Sequence, residues 1–251
     1  MMGHEAVGSG PRAVVVLNDW ICDTSTWDGA RPYLDVETFT WLFADLRGYG
    51  RSRAIAGDHT AEEAAADVIA LVDALGHRSF SIVGHSMSSL VALHLAQHHP
   101  DRIARAVVIA PPPPAGFGAD DATLASMREL ARGDAARRSK GLRTMWGDRL
   151  SDGWLRFKAE RWRETADPDA VAGYVDMFAR RGLPDRERAI RCALLAVTGE
   201  QDMPLMRRDA VTKLLAPLSD RLVVTPIADA GHYPMQEAPP LLVAIVERSL
   251  A

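Results

Sequence analysis

The chain has 251 residues, 47% hydrophobic and 25% charged, with a formal net charge of -4. That composition suits one large α/β domain with room for an insertion, and the mild acidity excludes a general attraction to nucleic acid or to an anionic membrane. Cys22 and Cys192 lie far apart and make neither a disulfide framework nor a metal site. Met1 to Arg12 lacks the apolar core of a signal peptide, and no apolar run reaches membrane-spanning length, so a soluble, cytoplasmic chain is expected.

After Pro11, the unbroken apolar run Ala13 to Leu17 predicts a strand buried on both faces, feeding Asn18-Asp19-Trp20-Ile21-Cys22-Asp23. Thr38 to Ala44 predicts the next strand, ending in Asp45-Leu46-Arg47-Gly48-Tyr49-Gly50-Arg51-Ser52. The glycine spacing there invites a phosphate-loop reading, but no Lys-Ser/Thr follows. Ala61 to Leu75 predicts an amphipathic helix, with Thr60 as N-cap, Glu63 at the capping-box position and Gly76 as the stop.

The stretch from Ser79 to His99 organises the rest. Phe80 to Val83 reads as a short buried strand that ends abruptly at Gly84, and Leu90, Leu93, His94 and Gln97 fall at helical spacing before Pro100. Ser86 sits between them, with Gly84 two residues before and Ser88 two after. So sharp a turn needs small neighbours and a strained central residue. It projects one hydroxyl from the strand end in front of the first helix amides, Met87 among them, which is half of an oxyanion site. The plainer reading is an ordinary strand-to-helix turn with a capping serine.

Ala104 to Ala110 predicts another buried strand, followed by four prolines, Pro111 to Pro114, that make a stiff exit from the sheet. From there to about Arg191 only helical segments appear: Asp121–Arg132, Ala135–Met145, Asp152–Glu164 and Pro168–Arg181. This region holds Trp146, Trp154, Phe157, Trp162, Tyr174 and Phe178, of which Tyr174 and Phe178 share a helical face with Met177 that reads as packing. Its Arg128, Arg132, Arg137, Arg138, Lys140 and Arg143 read as a solvated face. Ala193 to Thr198 and Leu222 to Thr225 predict the last strands, preceding Asp202 and His232. His94, His98 and His99 lack a carboxylate or cysteine at metal spacing, so no metal is expected.

Gly84-His85-Ser86-Met87-Ser88, Gly199-Glu200-Gln201-Asp202 and Ala230-Gly231-His232-Tyr233-Pro234 follow the order serine, acid, histidine. Together they resemble the α/β-hydrolase superfamily, over nearly the whole chain. The resemblance implies a mostly parallel sheet with helices on both faces, a core of residues 1–111 and 192–251, and a helical cap over 112–191. It also implies an N-terminal strand hairpin; about a dozen residues precede the first apolar run, so at least one edge strand is expected to be missing. The 45–52 loop is similar to a structural turn of the family.

For the chemistry, the resemblance implies Ser86 as nucleophile, His232 as base and Asp202 as its orienter, with Asp229 a poorer candidate. By position, the amides of Trp20 and Met87 would form the oxyanion hole, and Trp20, His85, Trp146, Trp154 and Tyr233 would line the substrate pocket. Asn18 and Asp19 depart from the His-Gly usual there. Asp19 has two readings: a carboxylate opposing the oxyanion, or a cap for a helix beginning near Thr26. The expected activity is hydrolysis of a small, apolar or aromatic ester, lactone or related carbonyl, without cofactor, by a monomer or homodimer. The same fold also hosts cofactor-free dioxygenases of N-heteroaromatic compounds and non-catalytic ligand receptors.

Overall fold

The computed structural model describes residues 1–147 and 149–251. Its strands are β1 (His4–Val7), β2 (Arg12–Leu17), β3 (Phe39–Ala44), β4 (Phe80–His85), β5 (Ile103–Ile109), β6 (Ala193–Gly199) and β7 (Leu222–Ile227). They form one sheet in the order β1-β3-β2-β4-β5-β6-β7. All neighbours are parallel except β1, which runs antiparallel to β3 and pairs His4 with Ala44 through to Val7 with Trp41. One four-residue strand precedes β2 in place of the family's usual hairpin, in keeping with the expectation that at least one edge strand is missing. It is too short and too exposed to carry a pattern of its own, and its register comes from β3. Pro226 is tolerated in β7 because that strand is the opposite edge of the sheet.

The helices are α1 (Ala61–Ala74), α2 (Ser88–His98), α3 (Asp121–Arg132), α4 (Ala135–Trp146), α5 (Asp152–Thr165), α6 (Pro168–Asp176), α7 (Arg208–Leu215), α8 (Pro234–Glu237) and α9 (Pro239–Leu250). Alternate strand residues face opposite ways and build two cores. Val15, Leu17, Ile82 and Val108 join α1, α2 and α7 on one face. Val14, Val16, Val107 and Ile109 join α9 and Trp27 on the other. Central strands apolar at every position follow from this double cover. In α1 the Thr60 cap forms as expected, its Oγ1 accepting from Glu63 N at 3.1 Å, while Glu63 Oε2 accepts from His59 N at 2.9 Å, one residue before the cap.

Helices α3 to α6 lie between β5 and β6. One continuous helix was expected over Pro168–Arg181; instead α6 gives way to a π-helical turn, Met177–Arg181, closed by Gly182 at φ 64°. The 45–52 loop is a structural turn. The Asp45 carboxylate accepts from Thr24 N at 2.9 Å, Thr24 Oγ1 at 2.7 Å and Arg51 N at 3.0 Å, so it ties this loop to the segment after β2. Arg47 forks onto Asp67 at 2.6 and 2.9 Å and fixes the loop to α1.

The turn from β4 to α2 leaves no room for a side chain at Gly84. A Cβ on Gly84 would lie 2.4 Å from the Ser88 carbonyl oxygen and 2.8 Å from Ser89 Cα, both backbone atoms that cannot yield. Gly84→Ala is therefore expected to destabilise by about 1–3 kcal/mol or more, lowering the melting temperature by roughly 5 °C or more. At Gly153, on the exposed start of α5, the nearest atom is 3.5 Å away, and Gly153→Ala is expected to melt at or above wild type. Thermal melts of the two variants check this contrast.

Candidate active site

Ser86 occupies the junction of β4 and α2 with φ 53°, one of few non-glycine residues at positive φ among those described. The conformation is over-determined. Ser86 N donates to Ile109 O at 2.8 Å, Ser89 N donates to Ser86 O at 3.0 Å, and Ser88 Oγ both accepts from His85 N at 3.0 Å and donates to His85 O at 3.1 Å. Strain of this kind persists only where the surroundings enforce it.

The loops after β6 and β7 meet this hydroxyl. His232 Nε2 lies 2.9 Å from Ser86 Oγ, and His232 Nδ1 lies 2.9 and 3.1 Å from the two oxygens of Asp202. Asp202 and His232 are both buried. Burial alone would raise the Asp202 carboxyl, but the charge and hydrogen bond of His232, with the Met203 amide at 2.7 Å, outweigh it and hold the group below its ordinary range. An ionised Asp202 fixes the proton on Nδ1 and leaves Nε2 free to accept the hydroxyl proton. Asp229 is exposed; its backbone oxygen receives Arg149 Nη1 at 3.3 Å.

Glu237, which sequence reading missed, clamps the histidine loop from both sides. Its Oε2 accepts from Gly231 N at 2.8 Å and its Oε1 from Tyr233 N at 2.9 Å, while Arg149 pairs with the same carboxylate. A glutamate at the end of a four-residue helix just after the histidine was the available signal.

The segment after β2 reaches the residue before Ser86, with Asp19 Oδ2 3.6 Å from His85 Nδ1. Asn18 Oδ1 accepts from Leu46 N at 2.8 Å and its Nδ2 donates to Asp19 O at 2.8 Å. Tyr49 Oη donates to Trp20 O at 2.8 Å, and Trp20 Nε1 donates to Val171 O of α6 at 2.8 Å. Asp19 does not cap a helix near Thr26. Its Oδ1 accepts from Ile21 N at 2.6 Å and Cys22 N at 2.8 Å, passing over the Trp20 amide, while Asp23 caps the short helical turn at Thr24–Trp27. Met87 N opens α2, where the leading amides have no acceptor within the helix.

Aromatic rings surround the histidine. Trp146 stands 5.5 Å from His232 and 5.4 Å from Tyr233, and Trp154 lies 5.4 Å from Tyr233. His85 and Tyr233 are fully buried behind them, 5.1 Å apart, and His85 Nε2 donates to His232 O at 2.7 Å. Burial pushes the His85 imidazole down to about 4, against the pull of Asp19, so it is neutral at pH 7. Trp20 packs elsewhere, 5.6 Å from Trp162 and 5.2 Å from Phe178, both from the inserted helices and neither in the expected pocket set. Tyr174 of the expected packing face lies against Tyr49, with ring centres 5.8 Å apart and the planes tilted by 39°. Among the described residues no cluster of three or more His, Cys, Asp or Glu side chains could hold a metal ion, and no helix is long and apolar enough to cross a membrane.

If Asp202 orients the imidazole, Asp202→Asn should lower turnover of p-nitrophenyl acetate by about 10³–10⁴ with little change in KM. Asp229→Asn should stay within about threefold of wild type. Steady-state kinetics on the pair decide between them.

The chain is 35% identical over 108 residues to a non-heme haloperoxidase of Rhodococcus erythropolis, a match covering 43% of this chain and 39% of that one. It is 28% identical over 211 residues to a putative carbamate hydrolase, RutD, of a Caulobacter species, covering 80% of this chain and 78% of the relative. The fold is similar to that of a bromoperoxidase from Bacillus anthracis, with a TM-score of 0.85 at 19% identity over 98% of this chain and 94% of that structure. The family model for the alpha/beta hydrolase fold matches residues 16–186. The chain belongs to the α/β-hydrolase fold family.

Proposed function

We propose that the protein is a serine hydrolase that cleaves a small ester, lactone or related carbonyl compound through an acyl-enzyme. The observation that carries this reading is the unbroken chain Ser86–His232–Asp202, at 2.9 Å on each side of the imidazole, set on a strained elbow. In this mechanism Ser86 Oγ attacks the carbonyl carbon while His232 Nε2 takes its proton. The amides of Trp20 and Met87 hold the oxyanion, and Asp202 stabilises the imidazolium. His232 then protonates the leaving oxygen, and a water activated by the same imidazole releases the acid.

In the same reading residues 1–111 and 192–251 form the core, and 112–191 form a cap that closes the site from above. Trp146 and Trp154 come from that region, and beside His232 and Tyr233 they favour a substrate with an apolar or aromatic group. The acyl-transfer reading is supported more directly than the identity of the acyl group, because the elbow defines how a carbonyl is attacked and the aromatic wall defines whose.

Ser86→Ala should lower p-nitrophenyl acetate turnover by at least about 10⁴ with an unchanged melting temperature, since the hydroxyl contributes little packing. A fluorophosphonate should label wild type at Ser86 and leave the variant unlabelled. Substantial turnover by the variant would remove covalent catalysis. Oxygen consumption by that variant with an N-heteroaromatic compound would favour the dioxygenase reading instead.

A further inference from the structure

Lys158, on α5, is a buried lysine whose ammonium reaches the segment that carries Trp20. Nζ lies 3.8 Å from Asp19 Oδ2, 3.4 Å from Thr26 Oγ1 and 4.1 Å from the centre of the Tyr233 ring. Asp19 is equally buried. Its Oδ1 is engaged by the Ile21 and Cys22 amides, whereas its Oδ2 accepts no hydrogen bond among the described residues. Burial would raise the Asp19 carboxyl, but Lys158, His85 and the Cys22 and Ile21 amides together outweigh it and hold the group below its ordinary range.

Other groups around the pair carry no compensating charge. His85 Nδ1 is 3.6 Å from Asp19 Oδ2, but burial keeps that ring neutral at pH 7. Burial also pushes the Cys22 thiol up to about 12, and burial with the charge of Asp19 holds the Tyr233 phenol well above its ordinary value. The anion therefore belongs to the core, one residue before the proposed oxyanion donor, while the cation facing it is delivered by an inserted helix. Two buried charges in that position depend on each other, because either alone bears an uncompensated desolvation cost.

We propose that Lys158 is a positioning residue for the hydrolase reaction: docked on Asp19, it cancels the negative charge beside the Trp20 amide, so the oxyanion site becomes effective only when the inserted helices are seated. The proposal rests on Ser86 being the nucleophile and Trp20 N an oxyanion donor. Its physical basis is the timing of charge. A neutral ester feels an uncompensated Asp19 little on binding, whereas negative charge developing on its oxygen is repelled in a low-dielectric site. Loss of the cation should therefore appear in kcat and spare KM. The arrangement also accounts for an aspartate where the family resemblance implies glycine. Its Oδ1 shapes the loop, and its charge is answered from the other side of the site.

The test uses Lys158→Met, Asp19→Asn and the double variant, with p-nitrophenyl acetate as substrate and fluorophosphonate labelling of Ser86 as a separate readout. Asp19→Asn retains a side-chain oxygen for the Ile21 and Cys22 amides, so the double variant keeps the loop and loses both charges. Lys158→Met is expected to lose about tenfold or more in kcat with KM within about threefold, and the double variant to recover most of that loss. Unchanged kcat in Lys158→Met overturns the proposal, as does a double variant no better than the single one. Should Lys158→Met not fold, the double variant decides alone: kcat within about threefold of wild type supports the proposal, and a tenfold loss overturns it. A wild-type protein that no fluorophosphonate labels overturns the hydrolase reading and this proposal together; labelled wild type with insensitive variants overturns only the proposal.

Discussion

The close approach of β4 and α2 at Gly84 is the constraint on which the rest of the site depends. Because no Cβ fits between Gly84 and the Ser88 carbonyl, the helix can begin within two residues of the strand end. Ser86 is thereby forced to φ 53°, and its hydroxyl meets His232 Nε2 at 2.9 Å. The hydrogen bonds that enforce this strain come from β5, through Ile109 O, and from Ser88, so the elbow is anchored to the centre of the sheet. A parallel sheet apolar on both faces supplies the rigidity, and loops at the carboxyl ends of β2, β6 and β7 bring the remaining groups to one point.

Those loops are held by carboxylates turned toward backbone amides. Asp19 takes Ile21 and Cys22, Asp45 takes Thr24 and Arg51, Asp202 takes Met203, and Glu237 takes Gly231 and Tyr233. Each bond from a charged acceptor to an amide is worth about 1.5–3 kcal/mol. Each thereby offsets part of the backbone entropy lost when its segment is fixed in place. The amide of Trp20 is passed over in this pattern, as the proposed oxyanion role requires. Neutral His85, wedged between His232 O and Asp19, is the buried link between the loop after β2 and the loop after β7.

Much of this was legible in the sequence because it depends on residue identity at short range. Ser86, Asp202 and His232 each follow a strand of recognisable composition, and the structure places them within hydrogen-bond distance. The Thr60 cap of α1 and the structural 45–52 turn were readable for the same reason. The fate of Asp19 was not, since its amide partners are set by loop shape and its cation sits far along the chain on α5. β1 escaped notice because four half-exposed residues have no periodicity until β3 pairs with them. The π turn after α6 was hidden too, since Met177 to Arg181 carries nothing that separates i→i+5 from i→i+4 bonding. Trp162 and Phe178 were recognised as aromatic, but only packing could show that they meet Trp20.

The central claim is that a covalent intermediate on Ser86 directs its oxyanion to the amides of Trp20 and Met87. A crystal structure of the wild-type protein inactivated by p-nitrophenyl methylphosphonate tests it most directly. The account predicts phosphorus bonded to Ser86 Oγ, with one phosphonyl oxygen about 2.7–3.1 Å from both amide nitrogens. Phosphorus on another residue, or a phosphonyl oxygen turned away from the Trp20 amide, would contradict it.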